Sequence, residues 1–204
     1  IKGRRCVVIG GGKVAERKVL SLLGSEAEVT VISPKLTECL EALKRLGRIS
    51  HIPRAYQKGD LEGAFIAIVA TDEEDVNIQA SEEAHALGVP VNVVDRPELC
   101  SFIVPSVLRR GPLVVAISTS GTSPAMARNL RRFIEDELPE GIEEVLLYLS
   151  ELRQKVQSLI PEPTKRKTIL ERVASEDVIK ILKEEGPSRA RDLIKEVFET
   201  ETRT

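Results

Sequence analysis

Cys6-Val7-Val8-Ile9-Gly10-Gly11-Gly12-Lys13-Val14-Ala15-Glu16-Arg17-Lys18 is the stretch on which the fold turns. Four β-favouring residues run into three glycines, and a helix-forming segment with apolar Val14, Leu20 and Leu23 follows as far as Leu23. Gly10-x-Gly12-x-x-Ala15 fits the G-x-G-x-x-G/A pattern of a dinucleotide turn. The context the pattern needs is also present: a strand before it, a helix opening inside it, and a second strand within about 30 residues. Glycine serves here because backbone must come close to a pyrophosphate, while the first helical turn offers unpaired N–H groups and a positive dipole end. The competing interpretation is a glycine turn that only reverses the chain. An NAD-selective turn usually has Asp or Glu closing the second strand, to hold the ribose hydroxyls. Ser33-Pro34-Lys35 stands there instead. Ser33 can bond a ribose hydroxyl and Lys35 can favour a 2′-phosphate, so spacing alone leaves NAD against NADP open.

Working outward, Glu28–Ile32 is the second strand, stopped by Ser33-Pro34. A helix over 36–46 ends at Gly47, a natural C-cap, and 49–53 is a short strand. The continuous apolar run Ala64–Ala70 suits a strand covered by helices on both faces. A helix over 76–87 stops at Gly88, and a strand over 91–94 leads to Asp95. This alternation predicts an α/β fold, a Rossmann-type doubly wound parallel sheet with right-handed crossovers. The pattern then changes. Strands over 102–108 and 113–117, separated only by Arg109-Arg110-Gly111-Pro112, suit an antiparallel pair. Ser118-Thr119-Ser120-Gly121-Thr122-Ser123-Pro124 leads into a helix to about Leu138, with Ser123 as N-cap and Pro124 at N1. Apolar residues at Ile142, Val145, Leu146, Leu149, Leu152, Val156 and Leu159 mark a further helix. Two short helices are expected after Pro161-Glu162-Pro163, the second capped by Ser188. The expected divisions are a nucleotide domain over 1–100, an α+β segment over 101–140 and a helical region over 141–204.

A formal net charge of −2 gives no global pull towards nucleic acid or an anionic membrane, so an anionic ligand must meet a local basic patch. No apolar run approaches the roughly 20 residues of a membrane helix. The basic start Ile1–Arg5 leads directly into a strand and is not expected to be a signal peptide. Cys6, Cys39 and Cys100 are odd in number and lack metal spacing, which suits buried thiols in a reducing cytoplasm. His51 and His85 carry no metal-binding spacing either.

Five ordered blocks carry a resemblance: Ile9–Lys18, Ala70-Thr71-Asp72, Val91-Asn92-Val93-Val94-Asp95, Ser101–Ser106 and Gly121-Thr122-Ser123-Pro124. Together they resemble the precorrin-2 dehydrogenase family of siroheme synthesis, well over residues 1 to about 138 and only in character beyond. The resemblance implies NAD-dependent oxidation of precorrin-2 to sirohydrochlorin, with iron insertion as a second activity of some members. It places Lys13, Val14, Pro34 and Lys35 at cofactor contacts beside Gly10, Gly12, Ser33 and Thr71, and it makes Asp95 the essential aspartate. It implies a homodimer exchanging contacts through roughly 102–140, with the tetrapyrrole in the cleft beside that segment. No methyltransferase segment, to which some members are fused, lies in these 204 residues.

The residues themselves suggest how such a site works. Asp95 ends a parallel strand on the ligand-binding edge of the sheet. A partly desolvated carboxylate there can take a proton as general base, or lend an oxygen to incoming iron; the bland alternative is a cap on the turn before Pro97. A substrate with many carboxylates calls for N–H donors and cations. The loop residues Ser118, Thr119, Ser120, Thr122 and Ser123 at a helix N-terminus, and Arg128 on that helix, are the candidates. Arg109 and Arg110 are weaker ones, and Arg131 and Arg132 are expected to pair with Glu135 and Asp136. Some family members carry a phosphorylatable serine where Thr119 stands. Two other classes of function stay open: a dinucleotide-sensing regulatory domain without chemistry, and a chelatase, alone or joined to the dehydrogenase.

Overall fold

The computed structural model describes residues 1–203, which divide into two compact units, Ile1–Val104 and the chain from Pro105 onward. The first unit contains β1 (Arg5–Ile9), α1 (Lys13–Leu23), β2 (Glu28–Ile32), α2 (Glu38–Arg45), β3 (Ile49–Ile52), β4 (Ile66–Val69), α3 (Glu74–Leu87) and β5 (Val91–Val93). Its sheet runs β3-β2-β1-β4-β5 with every pairing parallel, the doubly wound order the alternation predicts. Ile9 pairs with both Ile32 and Val69, so β1, β2 and β4 end level and their following loops share one edge.

Alternate residues of each strand feed two cores. Val7, Ile9, Val69, Val91 and Val93 pack with Ala80 and Ala84 of α3. Cys6, Val8, Val31 and Ile68 pack with Ala15, Val19 and Leu22 of α1 and Leu40 of α2. The expected apolar stripe of α1 is corrected here: Val14 and Leu23 are only half-buried and Leu20 is exposed. Small Ala15 lets the helix lie close to the sheet, which rotates Val19 and Leu22 inward. Element ends match the sequence to within a residue or two. Thr37 caps α2 by accepting the Leu40 amide at 3.3 Å, and Gly88 closes α3 in the left-handed conformation (φ 67°).

The loop from β3 to β4 is fixed by acids that no sequence pattern marks. Arg54 grips Asp60 with two 2.7 Å hydrogen bonds. Glu83, on α3 and almost fully buried, accepts the Tyr56 hydroxyl and the amides of Gly59 and Leu61, both at 3.1 Å. A buried carboxylate is tolerable only when its oxygens are this well supplied.

In the second unit β6 (Ser106–Arg110) and β7 (Leu113–Ile117) form an antiparallel hairpin, followed by α4 (Pro124–Glu137), α5 (Ile142–Leu159), α6 (Pro163–Val173), α7 (Glu176–Glu185) and α8 (Pro187–Arg203). Two expectations are corrected. The first hairpin strand starts four residues later and ends two later than the expected 102–108: Pro105 has no amide for a ladder, and the turn tightens to Gly111-Pro112, with Gly111 at φ 54°. Arg109 and Arg110 are therefore strand residues. Three helices, not two, follow Pro161, because the chain breaks at Ala174-Ser175, and α8 opens on Pro187 rather than on a Ser188 cap. The α5 stripe buries Val145, Leu152 and Val156 against Ile169, Val173, Val178, Leu182, Ala190 and Ile194.

Two stability tests follow from the loop. Glu83→Ala strands the buried Tyr56 hydroxyl and Leu61 amide, together with the more exposed Gly59 amide, and should cost about 3 kcal/mol in denaturant unfolding, with Glu83→Gln losing less because its amide oxygen still accepts. Arg54 beside Asp60 holds that carboxyl below the usual aspartate range. A lowered folded-state value gives stability that is present above the unfolded value, about pH 4, and is lost as pH falls further. The acid limb of the stability–pH curve should therefore flatten in Asp60→Asn.

Candidate functional site

The carboxyl edge of the sheet is assembled from three loops. Gly10 takes φ 114°, and a Cβ there would overlap the carbonyl oxygen of Ala70, at the end of β4. A Cβ on Gly11 would overlap the Lys35 carbonyl and crowd the Ser33 hydroxyl, beyond β2. Hydrogen bonds lock the arrangement: Gly10 N–H to Ile32 O (2.9 Å), Ala70 N–H to Ile9 O (2.7 Å) and Thr37 N–H to Gly11 O (3.1 Å). Gly10 and Gly11 are thus needed by the protein's own packing, which sharpens the sequence argument from ligand approach. That role falls to Gly12. It has open space where a Cβ would sit, and it starts α1 without a side-chain cap. An uncapped helix start facing open space is a cradle suited to a phosphate pair.

A cavity of 190 Å³ opens there. Gly10, Gly12, Ser33, Pro34 and Thr71 of the expected cofactor residues line it, with Ala55 and Tyr56 forming the wall that Glu83 holds. Lys13, Val14 and Lys35 flank it in sequence without lining it. The Lys13 ammonium pairs with Glu16 at 3.2 Å. Glu16 also accepts the Thr37 hydroxyl, which, with Lys13 after it, holds the Glu16 carboxyl below its usual range. Ser33 is buried and donates its proton to the Lys35 carbonyl at 2.7 Å, keeping only lone pairs for a ribose. Thr71 accepts the Glu73 amide through its hydroxyl and the Asn77 amide group through its carbonyl. A larger hollow of 580 Å³ lies at the opposite, amino-terminal edge among Arg5, Glu28, Arg48 and Ser50, away from the glycine turn.

Asp95 stands two residues beyond β5 with φ 59°, a left-handed conformation that strains a non-glycine residue. Its turn is over-determined. Arg96 binds Glu74 and Glu98, the Cys100 thiol accepts the Val93 amide at 3.1 Å, and Asn92 donates to the Phe102 carbonyl at 3.1 Å. The expected desolvation is absent, for the Asp95 side chain is exposed. The turn-cap alternative fails too: Asp95 has no side-chain hydrogen bond or ion pair among the described residues, and the 3₁₀ turn Pro97–Leu99 has no side-chain cap. No group of three metal-binding side chains occurs among the described residues. His51 bonds the Ser33 carbonyl at 2.9 Å and His85 the Ser81 carbonyl at 2.7 Å, so both serve the packing.

The expected substrate residues belong to the second unit. Ser123 caps α4 through the Met126 amide at 3.2 Å, as its position predicts. Ser118 accepts the Ser120 amide, and Thr119 accepts those of Ser123 and Thr122. The loop thus spends the amides of Ser120, Thr122 and Ser123 on its own oxygens and is a less open nest of donors than expected from sequence; its hydroxyls keep their protons. Arg128 is exposed and without an ion pair among the described residues, whereas Arg131 binds Glu135 as the spacing predicts.

Residues 1–106 match a family model described as "Putative NAD(P)-binding". The chain belongs to this NAD(P)-binding family. Residues 110–137 match a second model, "Sirohaem biosynthesis protein central". The siroheme synthase of Thioalkalivibrio sulfidiphilus is 40% identical over 200 residues, covering 98% of this chain and 41% of that protein. The one from Methylobacillus flagellatus is 42% identical over 173 residues, covering 85% and 37%. The chain thus spans about two fifths of the length of these relatives. A solved structure of "SirC, precorrin-2 dehydrogenase" superposes with a TM-score of 0.78 at 22% identity over 96% of this chain and 94% of that one, a likeness of fold. The family match accordingly supports a nicotinamide dinucleotide, NAD or NADP, as the class of cofactor.

The glycines separate two effects. Gly10→Ala should destabilise the unit by about 3 kcal/mol, since both φ and the Ala70 carbonyl oppose it. Gly12→Ala should leave the melting temperature unchanged while raising the dinucleotide Kd about tenfold or more, read by fluorescence titration with NAD and NADP. Wild-type affinity in Gly12→Ala would place the pyrophosphate elsewhere.

Proposed function

We propose that this chain catalyses the NAD-dependent dehydrogenation of precorrin-2 to sirohydrochlorin, in siroheme synthesis. The observation that carries the proposal is the shared edge: an open dinucleotide cradle after β1 and an aspartate without a partner among the described residues after β5 stand at the carboxyl edge of one parallel sheet, with β4 between them, in a chain related to siroheme synthases along almost its whole length.

Bound nicotinamide supplies a hydride acceptor. The backbone at Gly12, Lys13 and Val14 would hold the pyrophosphate, while Gly10, Ser33, Pro34 and Thr71 shape the surrounding wall and Lys35, beside it in sequence, would add a cation. Loss of hydride from the substrate carbon leaves a proton to be removed, and a carboxylate oxygen of Asp95 takes it. The loop hydroxyls of Ser118, Thr119, Ser120, Thr122 and Ser123, with the unpaired Arg128, suit the substrate's carboxylates. In function the divisions are then cofactor binding over 1–100, substrate contact and dimerisation over 101–140, and helical support over 141–204.

A homodimer suits the apolar surface of the second unit. Met126, Leu130 and Phe133 recur on one exposed side of α4 (53%, 41% and 65% exposed), and Val107 and Val114 are exposed on the hairpin. Such a cluster on one small unit is characteristic of an association surface. Three free cysteines suit the reducing cytoplasm, and no described helix is long and apolar enough to cross a membrane.

The chain incubated with NAD should convert precorrin-2 to sirohydrochlorin, followed by absorbance; no conversion with either NAD or NADP overturns the proposal. Asparagine tolerates the left-handed conformation, so Asp95→Asn keeps the turn. That variant should lose about 100-fold or more in kcat while binding NAD normally, and full activity would remove Asp95 from the chemistry.

A further inference from the structure

Among the described residues, two buried side-chain polar atoms lack a hydrogen-bond partner: Nδ1 of His51 and Oδ1 of Asn77. The other end of each side chain is engaged, in both cases with a backbone carbonyl of a residue that lines the cofactor cavity. His51 lies on β3 beside Val31, and its Nε2 stands 2.9 Å from the Ser33 carbonyl oxygen. A carbonyl only accepts, so Nε2 carries the ring proton and Nδ1 is left a bare acceptor. Asn77, on α3, is 5% exposed, and its amide nitrogen donates to the Thr71 carbonyl at 3.3 Å. That carbonyl also sets the orientation of the amide, because the reverse would bring oxygen against oxygen. Ser33 and Thr71 line the cavity from the loops after β2 and β4, on either side of the glycine turn that follows β1.

Filling the core would select neither residue. Asparagine is a poor helix former, and Asn77 sits on the side of α3 where Ala80 and Ala84 enter the core. In β3 an aliphatic residue in place of His51 would leave no bare nitrogen. A buried acceptor without a donor destabilises the fold, so each side chain is kept for the bond it does make. Those bonds complete two fixed walls. Ser33 already gives its N–H to the Ile52 carbonyl (3.2 Å) and its hydroxyl proton to the Lys35 carbonyl (2.7 Å), and His51 takes up its last polar group. The Thr71 hydroxyl accepts the Glu73 amide at 3.2 Å, and Asn77 takes up the Thr71 carbonyl. We propose that His51 and Asn77 are positioning residues for the dinucleotide, holding the Ser33 and Thr71 walls in the conformation that receives it. Neither lines the cavity, so both act through the residue they hold. This rests on the cavity being the dinucleotide site. Walls ordered in advance spare the cofactor the cost of ordering them, so loss of either bond falls on affinity.

The test is fluorescence titration of the full chain with NAD and with NADP, on wild type, His51→Leu, His51→Gln and Asn77→Leu. Both Leu variants should raise the Kd for either dinucleotide about fivefold, the worth of one such bond. A Gln amide reaches the place of Nε2, so His51→Gln should bind within about twofold of wild type. Amide hydrogen exchange without cofactor should quicken over 33–37 in His51→Leu and over 70–74 in Asn77→Leu, and saturating NAD should close the difference. An unchanged Kd in either Leu variant overturns the inference for that residue. A fall in melting temperature with Kd and local exchange unchanged does the same, being the mark of a structural role. Equal losses in His51→Leu and His51→Gln assign the effect to the ring and overturn the role of the bond. If wild type binds neither dinucleotide, or Gly12→Ala binds as tightly as wild type, the cavity is not the dinucleotide site and the inference falls with that reading.

Discussion

At the carboxyl edge of the sheet, three loops occupy a space with room for no side chain at Gly10 or Gly11. The Ala70 carbonyl fills the position of a Gly10 Cβ, while the Lys35 carbonyl and Ser33 hydroxyl fill that of a Gly11 Cβ. Around this contact the loops after β1, β2 and β4 exchange backbone hydrogen bonds, and Thr37 ties the start of α2 to both Gly11 and Glu16. The level ends of β1, β2 and β4, the placement of α1 and the shape of the nucleotide cavity all depend on it.

The three glycines consequently divide their work. Two hold the loops together, and the third leaves the helix start open to a phosphate pair. Asp95 is the counterpart after β5: its turn is tied down by Arg96, Cys100 and Asn92, while its own carboxylate has no hydrogen-bond or ion-pair partner among the described residues. Rigid support around an unengaged group is what a site requires if binding energy is to go into orientation rather than into ordering the protein.

Sequence periodicity made most of the fold legible. The parallel sheet, the glycine stops after α2 and α3, the Ser123 cap and the long stripe of α5 are local features whose signals lie within a few residues of one another. The hairpin register was misplaced because the turn is decided by Gly111 and by the missing amide of Pro105, neither of which interrupts an apolar run. Among the candidate site residues, the glycine turn and Asp95 were singled out from a motif and from a strand end. Glu83 and Asn77 were not, because an acid and an amide inside a helical segment look like ordinary solvated groups. Only their burial distinguishes them.

By itself, the sequence determined the class of fold, the edge of the sheet that binds, and the chemical type of ligand that a glycine turn before a helix admits. These follow from short-range patterns of side-chain size, hydropathy and backbone freedom. Tertiary structure alone decided which glycine is left with open space, that the Ser118–Ser123 loop spends three of its own amides on its own oxygens, and that the Asp95 carboxylate has no hydrogen-bond or ion-pair partner among the described residues. Each of these depends on which atoms, distant along the chain, occupy the neighbouring space. Polar groups are defined by their partners, and partners are assigned only when the chain closes on itself.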